Sequence, residues 1–290
     1  MTLPSKRGRM MLSVIVTTYE WPEALDAVLR ALSSQSDPDF EIVVADDGSG
    51  AATDETVNRW KADLGTRLTH VWQADEGFRL ARVRNLGATA ARGKHLAFID
   101  GDCIPRRHFV AAIRRALLPG WFLAGKRMEL GPVLSRRVLT RRWDVASWST
   151  GELLLRSRGR LRPFVYLTAR DRRRPWRPGL PDFVPDGNTY GFLTCVFRSD
   201  FERVDGFDNR FVGWGDQDVD LAVRLKRLGL RCSYAGPRAT MLHLWHEEHA
   251  DPERPTWWQL TETVESERVE ALEGLTTIGS AQSRRTPDSR

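Results

Sequence analysis

Strand and helix patterns alternate through the first hundred residues, and this alternation limits the fold more than any other feature of the sequence. Short apolar runs rich in β-forming residues lie at 12–16, 40–45, 68–72 and 94–99. Helical spacing or composition fills the segments between them, at 22–35, 54–63 and 80–91. Such alternation predicts a parallel sheet with helices on both faces. Ligands of such sheets bind beyond the carboxyl ends of the strands, where we therefore expect the functional residues.

Composition excludes several classes of protein. The 290 residues are 41% hydrophobic and 28% charged, as in ordinary globular proteins. The three cysteines, Cys103, Cys195 and Cys232, form no Cys-x-x-Cys pair, which argues against a disulfide framework or a zinc knuckle and favours a reducing cytoplasm. No apolar run approaches the roughly 20 residues that span a bilayer. The short apolar run at 10–16 predicts a first strand and not a signal peptide.

The net charge of +6 is concentrated in one segment. Residues 134–180 contain thirteen arginines and three acidic residues, and the rest of the chain is mildly acidic. Arginine outnumbers lysine 39 to 5 in the whole chain, so the shortage of acidic residues is what distinguishes this segment. A basic segment that also contains Trp143, Trp148 and Trp176 is typical of nucleic-acid binding.

An Asp-x-Asp sequence, Asp100-Gly101-Asp102, follows the fourth apolar run. Residues two apart in an extended segment face the same side, so both carboxylates can face one cation. Hard cations such as Mg²⁺ take oxygen ligands and keep positions open for phosphate oxygens. A plain turn explains the same spacing, but the position at the end of a predicted strand favours a metal site.

A second acidic pair, Asp46-Asp47, ends the second predicted strand and precedes a Gly-Ser turn. A turn with an aspartate cap explains this pair by itself. Two neighbouring carboxylate clusters nevertheless repel each other unless cations or hydrogen-bond donors separate them. Tyr19, at the end of the first strand, is placed either to stack on a base or to pack at the edge of the core.

Three alternating acids, Asp216, Asp218 and Asp220, lie near the start of a helix predicted from about residue 219, directly after Gly213-Trp214-Gly215. Helix capping accounts for one or two of these acids, so we expect one of them to be a general base. Histidines recur every third residue further on, at His243, His246 and His249. Surface histidines commonly have no role, but histidines near acidic clusters can complete a metal site.

Taken in chain order, these segments resemble the family 2 inverting glycosyltransferases. The matching segments are 13–19, 41–49, 84–87, 98–102, and 206–208 with 213–218. The last pair is similar to the Gly-Phe-Asp and Trp-Gly-x-Glu-Asp segments of bacterial chondroitin-polymerase-like enzymes and β-1,4-galactosyltransferases. The resemblance covers residues 12–246, which is most of the chain.

The resemblance implies an α/β protein with the GT-A fold, a Rossmann-like mixed sheet flanked by helices. The nucleotide-binding and acceptor-binding halves would form one domain over residues 12–250, with the Arg-rich segment 134–180 inserted between them. A flexible N-terminus at 1–11, a C-terminal helix at 251–275 and a disordered tail at 276–290 would flank this domain.

The resemblance also implies a role for individual residues. Those expected to bind the nucleotide sugar are Thr17, Tyr19, Asp47, Arg79, Asn85, Asp100, Gly101 and Asp102. The metal ligands would be Asp100, Asp102, His243 and His246, which would hold Mn²⁺ or Mg²⁺. Asp218 is the expected general base, with Asp216 as a second catalytic carboxylate. The acceptor would contact Trp214, Gly215 and Gln217.

Two positions depart from the family pattern. Gln217 replaces the glutamate that precedes the catalytic aspartate, while Asp216 supplies a carboxylate one residue earlier. Leu193 stands near where many relatives have an asparagine, and Asn188 lies shortly before it. The contact with the acceptor hydroxyl that is usually assigned to the glutamate is therefore open in this chain.

The expected activity is metal-dependent transfer of a sugar, with inversion, from a nucleotide sugar linked to UDP. The acceptor would be a hydroxyl of a glycan or of a lipid-linked molecule, in cell-surface polysaccharide or glycolipid synthesis. By analogy with the family, the Arg-rich segment would contact anionic lipid. We therefore expect a cytoplasmic protein at the inner face of the plasma membrane, and no nucleic-acid partner.

Three other classes fit the sequence less well. A sugar nucleotidyltransferase needs a Gly-rich phosphate loop after the first strand, where this chain has residues 17–22, Thr-Thr-Tyr-Glu-Trp-Pro. A dinucleotide-dependent dehydrogenase needs a Gly-x-Gly-x-x-Gly sequence after an early strand, and none is present. A nucleic-acid-binding protein on an inactive scaffold of the same fold would account for the arginines but not for the acidic motifs.

Overall fold

The computed structural model describes residues 11–156, 193–247 and 256–282, to which all structural statements here refer. The strands are β1 (Leu12–Thr18), β2 (Phe40–Asp46), β3 (Leu68–Trp72), β4 (His95–Asp100), β5 (Cys103–Pro105), β6 (Trp121–Ala124), β7 (Arg127–Glu129), β8 (Leu193–Phe197), β9 (Arg231–Tyr234) and β10 (Met241–His243). The helices are α1 (Pro22–Ser33), α2 (Ala51–Leu64), α3 (Leu80–Ala90), α4 (Phe109–Ala116), α5 (Pro132–Arg141), α6 (Thr150–Arg156), α7 (Arg198–Arg203), α8 (Gln217–Arg227), α9 (Trp257–Glu265) and α10 (Leu275–Gln282).

Seven strands form the main sheet, in the order β3-β2-β1-β4-β8-β6-β9. The first four strands of the chain, β1 to β4, are parallel, as the strand and helix alternation predicts. Strand β8 runs antiparallel to both of its neighbours, β4 and β6, so the sheet as a whole is mixed. The carboxyl ends of β1, β2 and β4 therefore meet at one edge.

Apolar side chains cover both faces of the sheet. All seven residues of β1 and all seven of β2 are buried, as expected for strands that lie between two layers of helices. Val14 and Val16 pack on one face with α1, while Ile15 packs on the other face with α3 and α8. This period-two alternation holds the strands in register and fixes which residues reach the carboxyl edge.

A second sheet consists of three short strands in the order β5-β10-β7, and its strand β5 directly follows β4 in the chain. Strand β10 is antiparallel to β5 and parallel to β7, with His243 paired to Cys103 and to Glu129. The sequence analysis did not predict this sheet, because strands of three residues carry no usable periodicity. It brings the histidine segment of the chain next to the Asp-x-Asp sequence.

The C-terminal helix predicted over 251–275 is wrong in extent. Helix α9 ends at Glu265, and α10 occupies the first part of the segment that was predicted to be a disordered tail. Asp205 accounts for the difference, since its carboxylate accepts hydrogen bonds from the backbone N–H and hydroxyl of Thr276. Ile278 is 2% exposed, so α10 is also fixed by burial of an apolar side chain.

Two helices lie in the described part of the Arg-rich segment, which the sequence analysis left without a pattern. Helix α5 buries Leu134, Ser135 and Val138 on one side, and α6 follows it. Residues 1–10 of the flexible N-terminus predicted at 1–11, and residues 157–180 of the Arg-rich segment, lie outside the described residues. Within the described ranges, no helix is both long and apolar enough to cross a bilayer.

Candidate active site

The Asp-x-Asp sequence lies where the sheet predicts it, at the carboxyl end of β4. Asp100 is the last residue of that strand and pairs with Thr17 of β1. A Cβ atom on Gly101 would lie 2.3 Å from the backbone oxygen of Thr17. Only glycine fits at this position, because the turn passes directly over the end of β1. Thr17, Asp100 and Gly101, all predicted to bind the nucleotide sugar, therefore lie next to one another.

Two histidines converge on Asp102. Its Oδ2 lies 3.1 Å from Nε2 of His243 and 3.3 Å from Nε2 of His246. The rings of the two histidines contact each other edge to face, with centroids 5.1 Å apart. His243 is buried and His246 is partly exposed, so this cluster opens to solvent on the His246 side.

Glu129 holds His243 from the other side. Its Oε2 lies 2.5 Å from Nδ1 of His243, and its Oε1 accepts a hydrogen bond from Arg127 at 2.7 Å. A carboxylate on one imidazole nitrogen orients the ring and makes the other nitrogen a better ligand. The sequence analysis missed Glu129, since no motif marks it and only β7 brings it here.

The donor atoms of Asp102, His243 and His246 fit a divalent cation. Their ligand atoms all lie within 4.8 Å of one another. Oδ1 of Asp102 is buried and has no hydrogen-bond partner among the described residues, so a cation would satisfy an otherwise unpaired oxygen. One carboxylate and two imidazoles suit Mn²⁺ and related ions.

A second set of donors, Asp100, Asp102 and Cys103, is also close enough to hold a cation. Burial raises the pKa of the Cys103 thiol well above its usual value, and a thiol binds metals as the thiolate. The set of Asp102 with the two histidines is therefore the better candidate.

The charge of each group in this cluster shifts the pKa of its neighbours. Burial raises the pKa of Asp100 to about 6, with Asp102 and Asp218 adding to the effect and Arg84 opposing it. Burial also disfavours ionised Asp102, but hydrogen bonds from the two histidines outweigh it and lower the pKa of that carboxyl. Burial would lower the pKa of His243, yet hydrogen bonds with Asp102 and Glu129 raise it to about 9. Hydrogen bonds with the carboxylates thus favour the charged form of both histidines, and a cation that binds here would have to replace the protons on the imidazoles.

Arg84 joins the Asp-x-Asp sequence to the predicted base. Its Nη1 donates to Oδ1 of Asp218 at 2.8 Å, and its Nη2 donates to Oδ1 of Asp100 at 2.9 Å. Arg84 belongs to the Arg-Asn-x-Gly segment of α3, but the sequence analysis gave this arginine no role. Its two partners are 134 and 16 residues away in the chain, which is why local spacing does not predict the contact.

The acids at the start of α8 have different surroundings. Asp218 is 9% exposed and faces Arg84, whereas Asp216 precedes the helix with a left-handed backbone, φ 60°. Gln217 is 5% exposed, and its Oε1 is buried without a hydrogen-bond partner among the described residues. Asp220 is fully buried in an ion pair with Arg224 and therefore stabilises the fold.

The loop before α8 is attached to α9. The hydroxyl of Thr256 donates to the backbone oxygen of Gly215 at 3.1 Å and lies 3.4 Å from Oδ2 of Asp216. Trp214 in the same loop is 54% exposed. The loop therefore presents an aromatic ring to solvent beside the predicted base, where an acceptor contact was expected.

The residues predicted to contact the nucleoside surround the carboxyl end of β2. Asp47 accepts hydrogen bonds from the backbone N–H of Arg79, at 2.9 Å, and from the side chain of Gln73. Burial raises the pKa of Asp47. Tyr19 is 50% exposed, and its hydroxyl donates to Asp75 at 3.1 Å. The structure brings these side chains to the same edge of the sheet as Asp100.

Asn85 has a structural role in this fold. It is fully buried, and its amide donates to the backbone oxygen of Phe207 and accepts from the backbone N–H of the same residue. Its Nδ2 also donates to Asn209. These bonds occupy the amide that was predicted to bind the nucleotide sugar.

Two family descriptions match the sequence. Residues 13–170 match "Glycosyl transferase family 2", which is more than half of the chain. Residues 182–247 match "N-terminal domain of galactosyltransferase". The first match covers the strands that carry Asp47 and the Asp-x-Asp sequence, and the second covers the segment that carries Asp218 and the two histidines.

Curated relatives share about a third of the aligned residues. The chain is 30% identical over 235 residues to validoxylamine A glucosyltransferase of Streptomyces hygroscopicus subsp. jinggangensis, which covers 76% of this chain and 52% of that protein. It is 34% identical over 233 residues to chondroitin synthase of Pasteurella multocida, which covers 74% of this chain and 23% of that protein. The chain thus spans about half of the first relative and about a quarter of the second.

Solved structures show the same fold. GalNAc-T7, solved with UDP, GalNAc and Mn²⁺, is similar with a TM-score of 0.63 at 15% identity, over 90% of this chain and 48% of that one. A mannosyltransferase of Pyrobaculum calidifontis, solved with GDP-Man and Mn²⁺, is similar with a TM-score of 0.53 at 19% identity, over 85% of this chain and 60% of that one. These likenesses confirm the predicted GT-A fold.

Proposed function

Since the chain belongs to glycosyl transferase family 2 and is a glycosyltransferase, we propose that it transfers a sugar from a nucleotide sugar to an acceptor hydroxyl in a single, metal-dependent displacement. One observation carries this proposal: Arg84 joins Asp218, the candidate base, to Asp100 of the Asp-x-Asp sequence. The candidate base and a donor-side carboxylate therefore lie on either side of one guanidinium, so a base would stand next to the turn that would bind the donor.

The donor half of the site consists of the carboxyl ends of the parallel strands. Asp47, Tyr19 and Arg79 would contact the nucleoside, and the turn at Gly101 would leave room for the diphosphate. Two solved neighbours contain nucleotides or nucleotide sugars with Mn²⁺, one of them UDP and the other GDP-Man. We propose UDP as the nucleotide of this chain, because a uridine donor is the commonest in the family it resembles.

Asp102, His243 and His246 would hold the cation, which we propose to be Mn²⁺ or Mg²⁺. Asp100 would complete this set or face the diphosphate from the side of Arg84. When bound, the cation would offset the negative charge that develops on the leaving nucleoside diphosphate. Glu129 fixes the orientation of His243, so the ligand atoms are arranged before the donor arrives.

Asp218 would remove the proton from the acceptor hydroxyl. Its Oδ1 is bonded to Arg84, so Oδ2 is the oxygen we assign to the incoming proton. The attack would form a bond from the acceptor oxygen to the anomeric carbon as the bond to the diphosphate breaks. Because the acceptor oxygen would attack from the face opposite the leaving group, with Asp218 as general base, the anomeric configuration would be inverted.

The acceptor would approach between the Trp214 loop and helix α5. Trp214 and Trp245 are both about half exposed, and they lie, respectively, in the loop before α8 and next to His246 in the chain. The backbone N–H of Trp245 donates to Ser135 of α5 at 2.8 Å. An acceptor that reaches this site therefore passes exposed rings able to stack on a sugar, in agreement with a glycan or lipid-linked acceptor.

The outer face of α5 is basic. Arg136, Arg137 and Arg141 are exposed, and none of them forms an ion pair with another described residue. We propose that this face contacts anionic lipid at the inner side of the plasma membrane. This orientation would bring a lipid-linked acceptor for cell-surface polysaccharide or glycolipid synthesis to the site, without a nucleic-acid partner.

A panel of nucleotide sugars tests the proposed function. The full chain is incubated with UDP-, GDP- and TDP-linked hexoses and hexosamines, with Mn²⁺, with Mg²⁺ and with EDTA, and release of the nucleoside diphosphate is measured. We expect one donor to be turned over with a divalent cation and not with EDTA. Asp102→Ala should lose the metal-dependent binding of that donor. Turnover that persists in EDTA or in Asp102→Ala would refute the metal assignment.

A further inference from the structure

Arg84, in the Arg-Asn-x-Gly segment of α3, has no function assigned so far. It contacts both halves of the site, through Asp218 and Asp100. We propose that Arg84 is a positioning residue that fixes the base Asp218 relative to Asp100, and that its buried guanidinium sets the distance between the proton acceptor and the donor-side carboxylate. This inference rests on the proposed function, because it requires Asp218 to be the base.

The contact of Arg84 with Asp218 and Asp100 is buried. Arg84 is 1% exposed, and its guanidinium lies over the ring of Phe207, 5.2 Å from the centroid. Phe207 in turn packs against Phe98 and Phe201. Water does not compete for the guanidinium on this apolar side, so the two carboxylates balance its charge. Burial disfavours the charged form, but Asp218 and Asp100 outweigh it and raise the pKa of Arg84.

Asn85 fixes the surface on which the guanidinium rests. Its amide makes two hydrogen bonds with the backbone of Phe207, at 2.7 and 2.9 Å. The residue next to Arg84 therefore holds the Phe207 ring under the guanidinium. The Arg-Asn pair of α3 and the Gly-Phe-Asp segment are thus joined by the hydrogen bonds of Asn85 and by the contact of Arg84 with the Phe207 ring.

The shape of the guanidinium decides what it can position. Its two terminal nitrogens lie in one plane at a fixed separation, and each donates to a different carboxylate. A lysine ammonium is a point charge on a flexible chain and cannot hold two carboxylates in a set relative orientation. Arg84 therefore fixes the position of Asp218 at the start of α8 relative to Asp100 at the end of β4, in addition to balancing their charges.

Arg84→Lys tests the proposal, because it keeps the charge and removes the planar fork. With the nucleotide sugar that the wild-type chain turns over, we expect kcat to fall about 10-fold or more, since small misplacements of reacting groups carry such costs. The KM of the donor should rise by a smaller factor than kcat falls, because Asp47, Asp102 and the histidines are untouched and Asp100 loses only its contact with Arg84. A change confined to KM, or no change in kcat, would overturn the proposal.

A double-mutant cycle distinguishes positioning of Asp218 by Arg84 from a general loss of activity. If Arg84 acts through Asp218, Arg84→Lys should lower the residual turnover of Asp218→Asn by less than about 3-fold. An equal loss in both backgrounds would show that Arg84 does not act through Asp218. If Asp218→Asn alone transfers sugar as well as wild type, the base assignment itself fails, and that result is distinct from a normal Arg84→Lys enzyme.

Arg198→Lys is the matched control for stability. Arg198 donates from its side chain to the backbone oxygens of Gly93, Ala88 and Ala91, at the amino end of β4 and away from the site. It should lower the melting temperature without changing kcat. If Arg84→Lys merely resembles Arg198→Lys in both measurements, Arg84 has a structural role only.

Crystal structures give a readout that needs no turnover. In Arg84→Lys, we expect the Asp218 carboxylate to turn away from its wild-type position while Asp102 and His243 stay in place. Asp218 and Asp100 found in their wild-type positions in that variant would contradict the proposal.

Discussion

The partners of each buried aspartate distinguish the site from the rest of the fold. Asp208 and Asp220 are fully buried, and each is paired with an arginine two or four residues away, Arg210 or Arg224. Asp102 is also largely buried, but one of its oxygens has no partner among the described residues. A buried oxygen without a hydrogen-bond partner is costly, so Oδ1 of Asp102 points to a ligand, whereas the fully paired aspartates point to a role in stability.

Glu129 supplies a prediction at the scale of one residue. Glu129→Gln keeps the size of the side chain but weakens its hold on Nδ1 of His243. Loss of such an outer carboxylate costs about 10- to 100-fold in metal affinity. Titration of the full chain with Mn²⁺ in a calorimeter should show this weakening.

The control for this titration is Glu55→Gln, an exposed change on α2. It should leave the affinity for Mn²⁺ unchanged. Equal affinities for wild type and Glu129→Gln would mean that Glu129 does not support the metal ligands.

Single residues of the site could be predicted from sequence only where local spacing marks them. The Asp-x-Asp sequence and Asp218 stand out by strand ends, helix starts and family resemblance, and the structure brings them together. Glu129 could not be predicted, because its partner His243 is 114 residues away. Asn85 lies in a segment that matches the family, yet its amide is bonded to the backbone of Phe207 and not turned to the site.

Helix α3 is the element on which the site depends most. Arg84 contacts Asp218 and Asp100, Asn85 is bonded to the backbone of Phe207, and Gly87 lies against the sheet. A Cβ atom on Gly87 would be 2.7 Å from Cγ2 of Ile15 and 3.2 Å from Cβ of Ala45. The helix can therefore approach the strands closely only because this residue is glycine.

Gly87→Ala tests that close approach. Alanine favours a helix over glycine by about 1 kcal/mol, which alone would stabilise the chain. Overpacking of a tight core costs about 1 to 3 kcal/mol, and the contact with Ile15 has no flexible side-chain end to yield. We expect a net loss of stability in urea unfolding. A variant more stable than wild type would show that α3 can move away without cost.

The elements of the donor half were predictable, and those near the histidines were not. Strands β1 to β4 are five to seven residues long, rich in β-forming side chains and separated by helical segments, so both their existence and their parallel arrangement follow from sequence. Strands β5, β7 and β10 have three residues each, which is too short for a periodic pattern. Helix α10 depends on Asp205, a distant partner that local composition does not reveal.

Charge is distributed unevenly over the whole molecule. The carboxylates gather at the edge of the sheet, and the exposed arginines of α5 lie beside that edge through the contact of Ser135 with Trp245. An arginine near an anionic membrane surface contributes about 1 kcal/mol of binding. The net positive charge of the chain is therefore expected to act locally, at the face where we propose that the acceptor arrives.

Vesicle binding tests this face. Wild-type protein should bind vesicles that contain phosphatidylglycerol more tightly at ~50 mM than at ~500 mM salt, because salt screens exposed charges. The triple variant with Gln at Arg136, Arg137 and Arg141 should bind them more weakly, by roughly 100-fold if the three contributions add. Sedimentation with vesicles measures both effects.

The control removes the same charge elsewhere, with Gln at the exposed residues Arg203, Arg231 and Arg238. It should lose much less binding than the α5 variant. Equal losses would mean that α5 is not the docking face. Tight binding to DNA without turnover of any nucleotide sugar would instead favour a nucleic-acid-binding protein.

The central claim is that Asp218, held by Arg84 beside the donor carboxylates, is the base for glycosyl transfer. Asp218→Asn keeps the shape of the side chain and removes its ability to take a proton. The most direct measurement compares donor binding and sugar transfer in this variant and in wild type. We predict binding of the Mn²⁺–nucleotide complex within about 3-fold of wild type and transfer reduced about 10²- to 10⁴-fold. Transfer at the wild-type rate, with the donor bound normally, would contradict the account.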